Sequence, residues 1–324
     1  MSGVLAARSP LGASSRLAAV QRPTVDVIVP FRGSTESLHR LRRRLASISL
    51  QDGDSVLVVD NTPGRERLGD SDADAVAVLH APERATPAFA RNRGAARGGA
   101  EWLVFLDADT EPRPDLLDRY FDPSPAPWTG LIGGGVIDEP ADPDAPLVAR
   151  YTHLRRSMSQ EDTFGFGDWG YPKTANVACR RAAFEAVGGF REEIRAAEDA
   201  DLTYRLRSAG WGVERREDAS VVHASRKTVR EFIAQQTVWG AGGAWVARMY
   251  PGSVPLVGRA GVIRWAVRST LGGLLTAVRR RDRDTAILAV FRPLEALAWE
   301  FGRLLPNERP VPDSSLWTRL GLYG

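Results

Sequence analysis

The apolar run Trp102–Leu106 stops abruptly at two aspartates, Asp107 and Asp109. A short run with no polar alternation reads as a strand covered on both faces, which demands helices on either side of its sheet. Val25–Val29 and Val56–Val59 have the same character, and Ala75–Leu79 is a further candidate. Between them Leu38, Leu41, Leu45 and Ile48 recur at helical spacing. Ala88–Gly98 reads as an Arg-rich helix ended by glycines, and Pro112 and Pro114 suit a turn into another helix. Strands alternating with helices predict an α/β fold: a Rossmann-like layer with a mostly parallel central sheet. Beyond Gly130 the pattern loosens, and residues 157–174 look like loop. Asp199–Ala209 reads as a helix and Val221–Val222 as a brief strand. From Thr228 onward the chain reads as helical, broken at Pro251 and Gly252. The expected organisation is a tail over 1–24, an α/β domain over 25–225, and a helical region over 226–324.

The 324 residues, 43% of them hydrophobic, suffice for a large domain with a real core and are not the composition of a disordered chain. Cys179 is the single cysteine, which excludes an intrachain disulfide and suits a reducing, cytoplasmic setting. No window of about 18 apolar residues predicts a membrane span, and the N-terminus does not read as a signal peptide. Charge is segregated. Residues 226–324 carry fifteen Lys/Arg against seven Asp/Glu, which leaves 25–225 net negative. An acidic centre is a poor nucleic-acid surface, whereas the basic C-terminal third suits anionic lipid or plain solvent.

Open α/β sheets take ligands outside the carboxyl ends of their strands. Three such ends carry chemistry here: Pro30-Phe31-Arg32, Asp60-Asn61, and Asp107-Ala108-Asp109. Two close carboxylates repel unless a cation lies between them. Oxygen ligands favour Mg²⁺ or Mn²⁺, and a turn of solvated aspartates is the blander alternative.

Six segments resemble the family 2 glycosyltransferases in order and spacing over about 25–225. They are Val27-Ile28-Val29-Pro30-Phe31, Val58-Val59-Asp60-Asn61, Ala90-Arg91-Asn92-Arg93-Gly94, Phe105-Leu106-Asp107-Ala108-Asp109, Gly188-Gly189-Phe190, and Glu198-Asp199-Ala200-Asp201-Leu202 with Arg205-Leu206. The family often has a second Asp where Asn61 stands. The resemblance implies a glycosyltransferase-A fold and sugar transfer from a nucleotide diphosphate donor, UDP-sugars being the commonest. The acceptor would be a hydroxyl of a glycan or lipid-linked molecule. Pro30, Phe31 and Asp60 would then line the base site, and Arg91 would face the diphosphate with its guanidinium fork. Asp107 would hold ribose or metal, Asp109 the metal, and His223 would be a further metal ligand; a histidine at a strand end is as readily structural. The cofactor would be Mn²⁺ or Mg²⁺, acting as a Lewis acid on the departing diphosphate.

An acceptor hydroxyl is a poor nucleophile until a base takes its proton. The resemblance assigns that base to Asp199, supported by Glu198; the sequence pattern alone would make them helix-capping acids. The transfer would invert configuration. Trp169 and Asn176 in the loop Trp169–Asn176, together with Trp239, are the expected acceptor contacts, with core and turn packing as the alternative. Gln235-Gln236-Thr237-Val238-Trp239 partly resembles the Gln-x-x-Arg-Trp signature of processive synthases, with Val238 in place of Arg.

Two other readings compete. A nucleotidyltransferase would normally show a Gly-rich loop after the first strand, but Phe31-Arg32-Gly33-Ser34-Thr35 has one glycine. A non-catalytic nucleotide-sugar-binding protein would not need both Asp109 and Asp199. Finally, Ile263, Val267, Leu271, Leu274 and Val278 form an apolar stripe at helical spacing. Ile287, Phe291, Leu294, Ala298, Phe301 and Leu305 form a second, where Pro293 should kink the helix or set its start. Both stripes suit either an anionic membrane surface, on the inner face of the cell membrane, or packing on the α/β domain.

Overall fold

A computed structural model describes residues 22–65, 75–255 and 258–308. Of the expected tail, residues 1–21 lie outside the described residues, as do 309–324 of the helical region. The first half runs β1 (Val25–Phe31), α1 (Thr35–Leu45), β2 (Ser55–Asp60), β3 (Ala77–His80), α2 (Pro87–Ala95), β4 (Trp102–Leu106), β5 (Thr110–Pro112), α3 (Leu116–Tyr120) and β6 (Thr129–Asp138). It continues through α4 (Leu147–Arg155), α5 (Glu161–Phe164), β7 (Asn176–Arg180), α6 (Arg181–Ala186), α7 (Glu198–Ser208) and β8 (Gly212–His223). Three long helices follow: α8 (Val229–Met249), α9 (Arg259–Arg280) and α10 (Arg283–Gly302).

The eight strands form one sheet in the order β3-β2-β1-β4-β7-β6-β8-β5. The pairs β3/β2, β2/β1, β1/β4 and β6/β8 are parallel; β4/β7, β7/β6 and β8/β5 are antiparallel. The uninterrupted apolar runs have the expected cause. Val25, Val27 and Val29 face one layer with Leu38, Leu41 and Leu45 of α1, while Ile28 faces the other with Phe89 of α2 and Leu202 and Leu206 of α7. Residues of each parity are therefore buried, and no polar alternation is left to see.

The sheet is longer than the sequence indicates. The stretch after Gly130 contains β6, whose Gly133-Gly134-Gly135 run has little strand propensity. Tertiary packing demands those glycines: a Cβ at Gly134 would lie 2.3 Å from the Asn176 side chain. β8 is a full strand of 12 residues rather than the pair Val221–Val222, and its first half, Glu214–Asp218, is charged and largely exposed.

The helical region is pinned to the rest of the chain. Gly240 of α8 and Gly302 of α10 mark a close crossing: a Cβ at Gly240 would lie 2.0 Å from the Trp299 carbonyl oxygen, and one at Gly302 2.0 Å from that of Thr237. The second apolar stripe is core. Ile287 and Phe291 pack with Val148 and Tyr151 of α4 and Phe232 of α8, and Ala298 and Leu305 are buried too. It is therefore not a membrane face, although Phe301 stays exposed. Pro293 lies inside α10 and does not set its start. The first stripe behaves in the opposite way, with Ile263, Val267, Leu271, Leu274 and Val278 all exposed on α9. No helix among the described residues is long and apolar enough to cross a membrane.

Candidate active site

The carboxyl ends of β1, β2 and β4 open into a cleft of about 790 Å³. Pro30, Phe31 and Asn61 line one end, Asp107 and Asp109 the floor, and the start of α7 the far wall. Trp239 and Gly243 of α8 and Trp299 of α10 close it from the helical region.

Asp107, Asp109 and His223 bring one possible ligand atom each to within 4.8 Å of one another. The register of β5 on β8 accounts for this, because Thr110 pairs with His223. His223 Nε2 lies 3.3 Å from Asp109 Oδ1. Arg44 donates to the Ala108 carbonyl at 2.6 Å and fixes the turn between the two acids. Two carboxylates and an imidazole suit a hard or borderline divalent cation such as Mn²⁺ or Mg²⁺. Two arginines neutralise these acids from either side: Arg91 donates to Asp107 Oδ1 at 2.7 Å, and Arg226 lies 3.6 Å from Asp109 Oδ2.

Arg91 is buried and does more than face the cleft. Its other terminal nitrogen donates to Glu198 Oε1 at 2.9 Å, so one guanidinium joins the end of β4 to the start of α7. Burial opposes the charge, but the two carboxylates outweigh it and raise the Arg91 pKa.

Asp199 follows Glu198 in the first turn of α7. Its Oδ1 accepts from its neighbour Ala200 N–H at 2.8 Å. Burial, and then the charge of Glu198, push its carboxyl up to about 7. Ala197 precedes it with φ of 68°, a left-handed conformation that a residue with a Cβ adopts at a cost. The backbone is held there from afar. Asn307 Oδ1 accepts from Ala196 N–H at 3.2 Å, its Nδ2 donates to the Ala196 carbonyl at 2.9 Å, and its own carbonyl accepts from Arg195 N–H at 3.1 Å. Lys173 reaches the cleft with its ammonium on the Ser157 and Ser159 carbonyls, and burial lowers its pKa.

Most of the expected site residues meet in this cleft, and three do not. Asp60 is buried and absent from the lining; its carboxylate accepts from Thr62 N–H at 3.0 Å and pairs with Arg65 at 3.2 Å. Asn61 takes the lining position instead. Asn176 is fully buried: its oxygen accepts from Tyr120, and its nitrogen donates to the Gly135 and Ala219 carbonyls. That uses both of its amide hydrogens, so it is a packing residue of the sheet and not an acceptor contact. Trp169 packs edge-on against Tyr204 at 5.0 Å, outside the lining. Arg195, Tyr204, Arg226 and Trp299 line the cleft without having been singled out. For Arg226 a signal existed: a cation three residues past a histidine at a strand end. Trp299 had none, because its helix reaches the site only through the glycine crossing.

Residues 26–188, half of the chain, match the model of glycosyl transferase family 2, and the chain belongs to that family. Its fold is the glycosyltransferase-A fold. The mannosyltransferase PcManGT from Pyrobaculum calidifontis, solved with GDP-Man and Mn²⁺, shares the fold with a TM-score of 0.61 over 88% of each chain at 16% identity. The pre-mycofactocin glycosyltransferase of Mycobacterium tuberculosis is 30% identical over 274 residues, which cover 82% of this chain and 56% of that protein. The succinoglycan biosynthesis protein ExoA of Rhizobium meliloti is 26% identical over 222 residues, 67% of this chain and 59% of its own. The chain thus spans a little over half the length of these two relatives.

Proposed function

We propose that the chain is an inverting, metal-dependent glycosyltransferase that moves a sugar from a nucleoside diphosphate donor to a hydroxyl of a glycan or lipid-linked acceptor. The observation that carries this reading is the convergence of two acidic groups in one cleft, Asp107–Asp109–His223 and Glu198–Asp199, joined by Arg91. The nucleotide base occupies the end lined by Pro30, Phe31 and Asn61, with Asp60 supporting that end through Thr62 and Arg65. Asp107, Asp109 and His223 would hold Mn²⁺ or Mg²⁺, and the bound ion supplies Lewis-acid neutralisation of charge on the departing diphosphate. Asp199 takes the proton of the attacking hydroxyl. A carboxyl titrating near 7 is a stronger base than an ordinary aspartate and is still ionised in part at neutral pH. Arg91 holds Glu198 in place beside it. Trp239 offers an aromatic face to the acceptor.

One base acting opposite the leaving group gives a single in-line displacement, so an α-linked donor yields a β-linked product. The anomeric proton of the product, followed by NMR, decides this; a retained configuration rules the mechanism out. The donor is found by thermal shift with UDP, GDP and dTDP, each with and without Mn²⁺. Uridine is favoured on the sequence reading, while the Pyrobaculum relative was solved with a guanosine donor. A ligand at 100 times its Kd should stabilise by about 2.7 kcal/mol. Hydrolysis of the donor sugar without any acceptor separates an enzyme from a pure binder.

A further inference from the structure

α9 is built inside out. The face it turns to α10 carries small residues. Ala266 and Ala277 are its buried positions, and Gly273 sits so close that a Cβ there would lie 2.5 Å from the Ala289 Cβ. Its large apolar side chains point the other way. Val278 is 75% exposed, Leu271 66%, and Ile263, Val267, Leu274 and Leu275 share that outward side. A helix stabilised only by its own protein does the reverse, burying leucine and leaving alanine outside. A contiguous exposed apolar strip of this kind marks a contact with something else.

Charge identifies what that is. α9 contains five arginines and no acid. Arg264 and Arg268 are exposed beside the outward strip, and Arg279, Arg280 and Arg281 crowd its C-terminal end; among the described residues none of these five has a carboxylate partner. The acids nearby are used at other points. Asp282 caps α10, Asp284 is bound by Arg150, and Glu300 is held by Arg303 and by Arg259 at the far N-terminal end of α9. A second copy docked through the same strip would bring two arginine-rimmed helices together with no acid on either α9 to pair with them. An extended anionic surface with an apolar interior satisfies both the strip and its border.

We propose that α9 is a membrane-surface anchor: it lies in the headgroup plane of an anionic bilayer, with the strip of Leu271 and its neighbours inserted and Arg264 and Arg268 on lipid phosphates. α10 is the element that carries this anchor to the active site, since α9 packs on it and its Trp299 lines the cleft. The inference rests on the surface of α9 and stands or falls separately from the chemistry of the cleft.

Flotation of the full chain with phosphatidylglycerol/phosphatidylcholine vesicles tests it, with pure phosphatidylcholine vesicles alongside. Binding is expected on the anionic vesicles, to weaken steeply with salt, and to be slight on the neutral ones. Arg264→Gln with Arg268→Gln should weaken it about 25-fold, roughly fivefold for each charge removed near the surface. Leu271→Gln with Val278→Gln should abolish insertion, read as loss of co-flotation with the anionic vesicles. Both pairs are solvent-exposed, so secondary structure by circular dichroism should not change. Absence of binding at low salt overturns the proposal. So does binding that ignores both pairs of substitutions, or a dimer in sedimentation that the Leu271/Val278 pair dissolves.

Discussion

An aspartate in the first turn of a helix is ordinarily favoured as an anion by the free N–H groups there. Asp199 is held the other way by burial and by Glu198, so its carboxyl rises from 3.8 to about 7. Two pH effects follow. Transfer should increase with pH through about 7 as the base ionises, and Asp199→Asn should lose that limb along with about 10²–10⁴-fold in rate, donor affinity staying put. Stability runs in the opposite sense. The folded state holds a proton that the unfolded state has released, so stability should fall between about pH 4 and 7, and a melting series on Asp199→Asn should lack that slope. Asp109→Ala should keep the circular dichroism of the native chain yet erase the Mn²⁺-dependent thermal shift; a retained shift would mean that Asp107 and His223 suffice. At this scale the sequence was most readable where a charged group stands at the end of an apolar run, as with Asp107 and Asp109. It misled where side-chain chemistry looks the same in two settings. Asn176 suits a sugar hydroxyl as well as it suits Tyr120 and two carbonyls, and only the neighbouring strands decide.

Among elements, β1, β2 and β4 could be read from the sequence because both their faces are buried. β6 and β8 could not. A triple glycine hides the first, and the exposed, ion-paired half of the second reads as surface loop. Both are held by pairing with each other, a non-local cause that no local pattern carries. The crossing of α8 on α10 is likewise invisible locally, since Gly240 and Gly302 matter only through the carbonyls opposite them. Gly302→Ala would set a methyl against rigid backbone, so it should destabilise by about 1–3 kcal/mol. It should also displace Trp299 from the cleft wall. Denaturant unfolding measures the first effect and acceptor KM the second; an unchanged midpoint would show that the two helices can separate freely.

In the whole molecule, the region after Thr228 reads from sequence as an appendage, and the structure makes it part of the site. Three hydrogen bonds with the fully buried Asn307, two accepted and one donated, fix Arg195 and Ala196, just before the left-handed Ala197 that aims Glu198 and Asp199. Asn307→Ala leaves the N–H and carbonyl of Ala196 without partners, at a cost of about 1–3 kcal/mol for each buried group. It should lower kcat while the nucleotide thermal shift, which depends on the opposite end of the cleft, persists; equal loss of both would mean general unfolding instead. The same tie has a consequence for biosynthesis. The sheet and the acids of β4 leave the ribosome early, whereas Ala196 stays unclasped until residue 307 has emerged. A growing chain should therefore recognise its donor before it can use it, and a stalled nascent chain lacking Asn307 should retain nucleotide without transferring sugar.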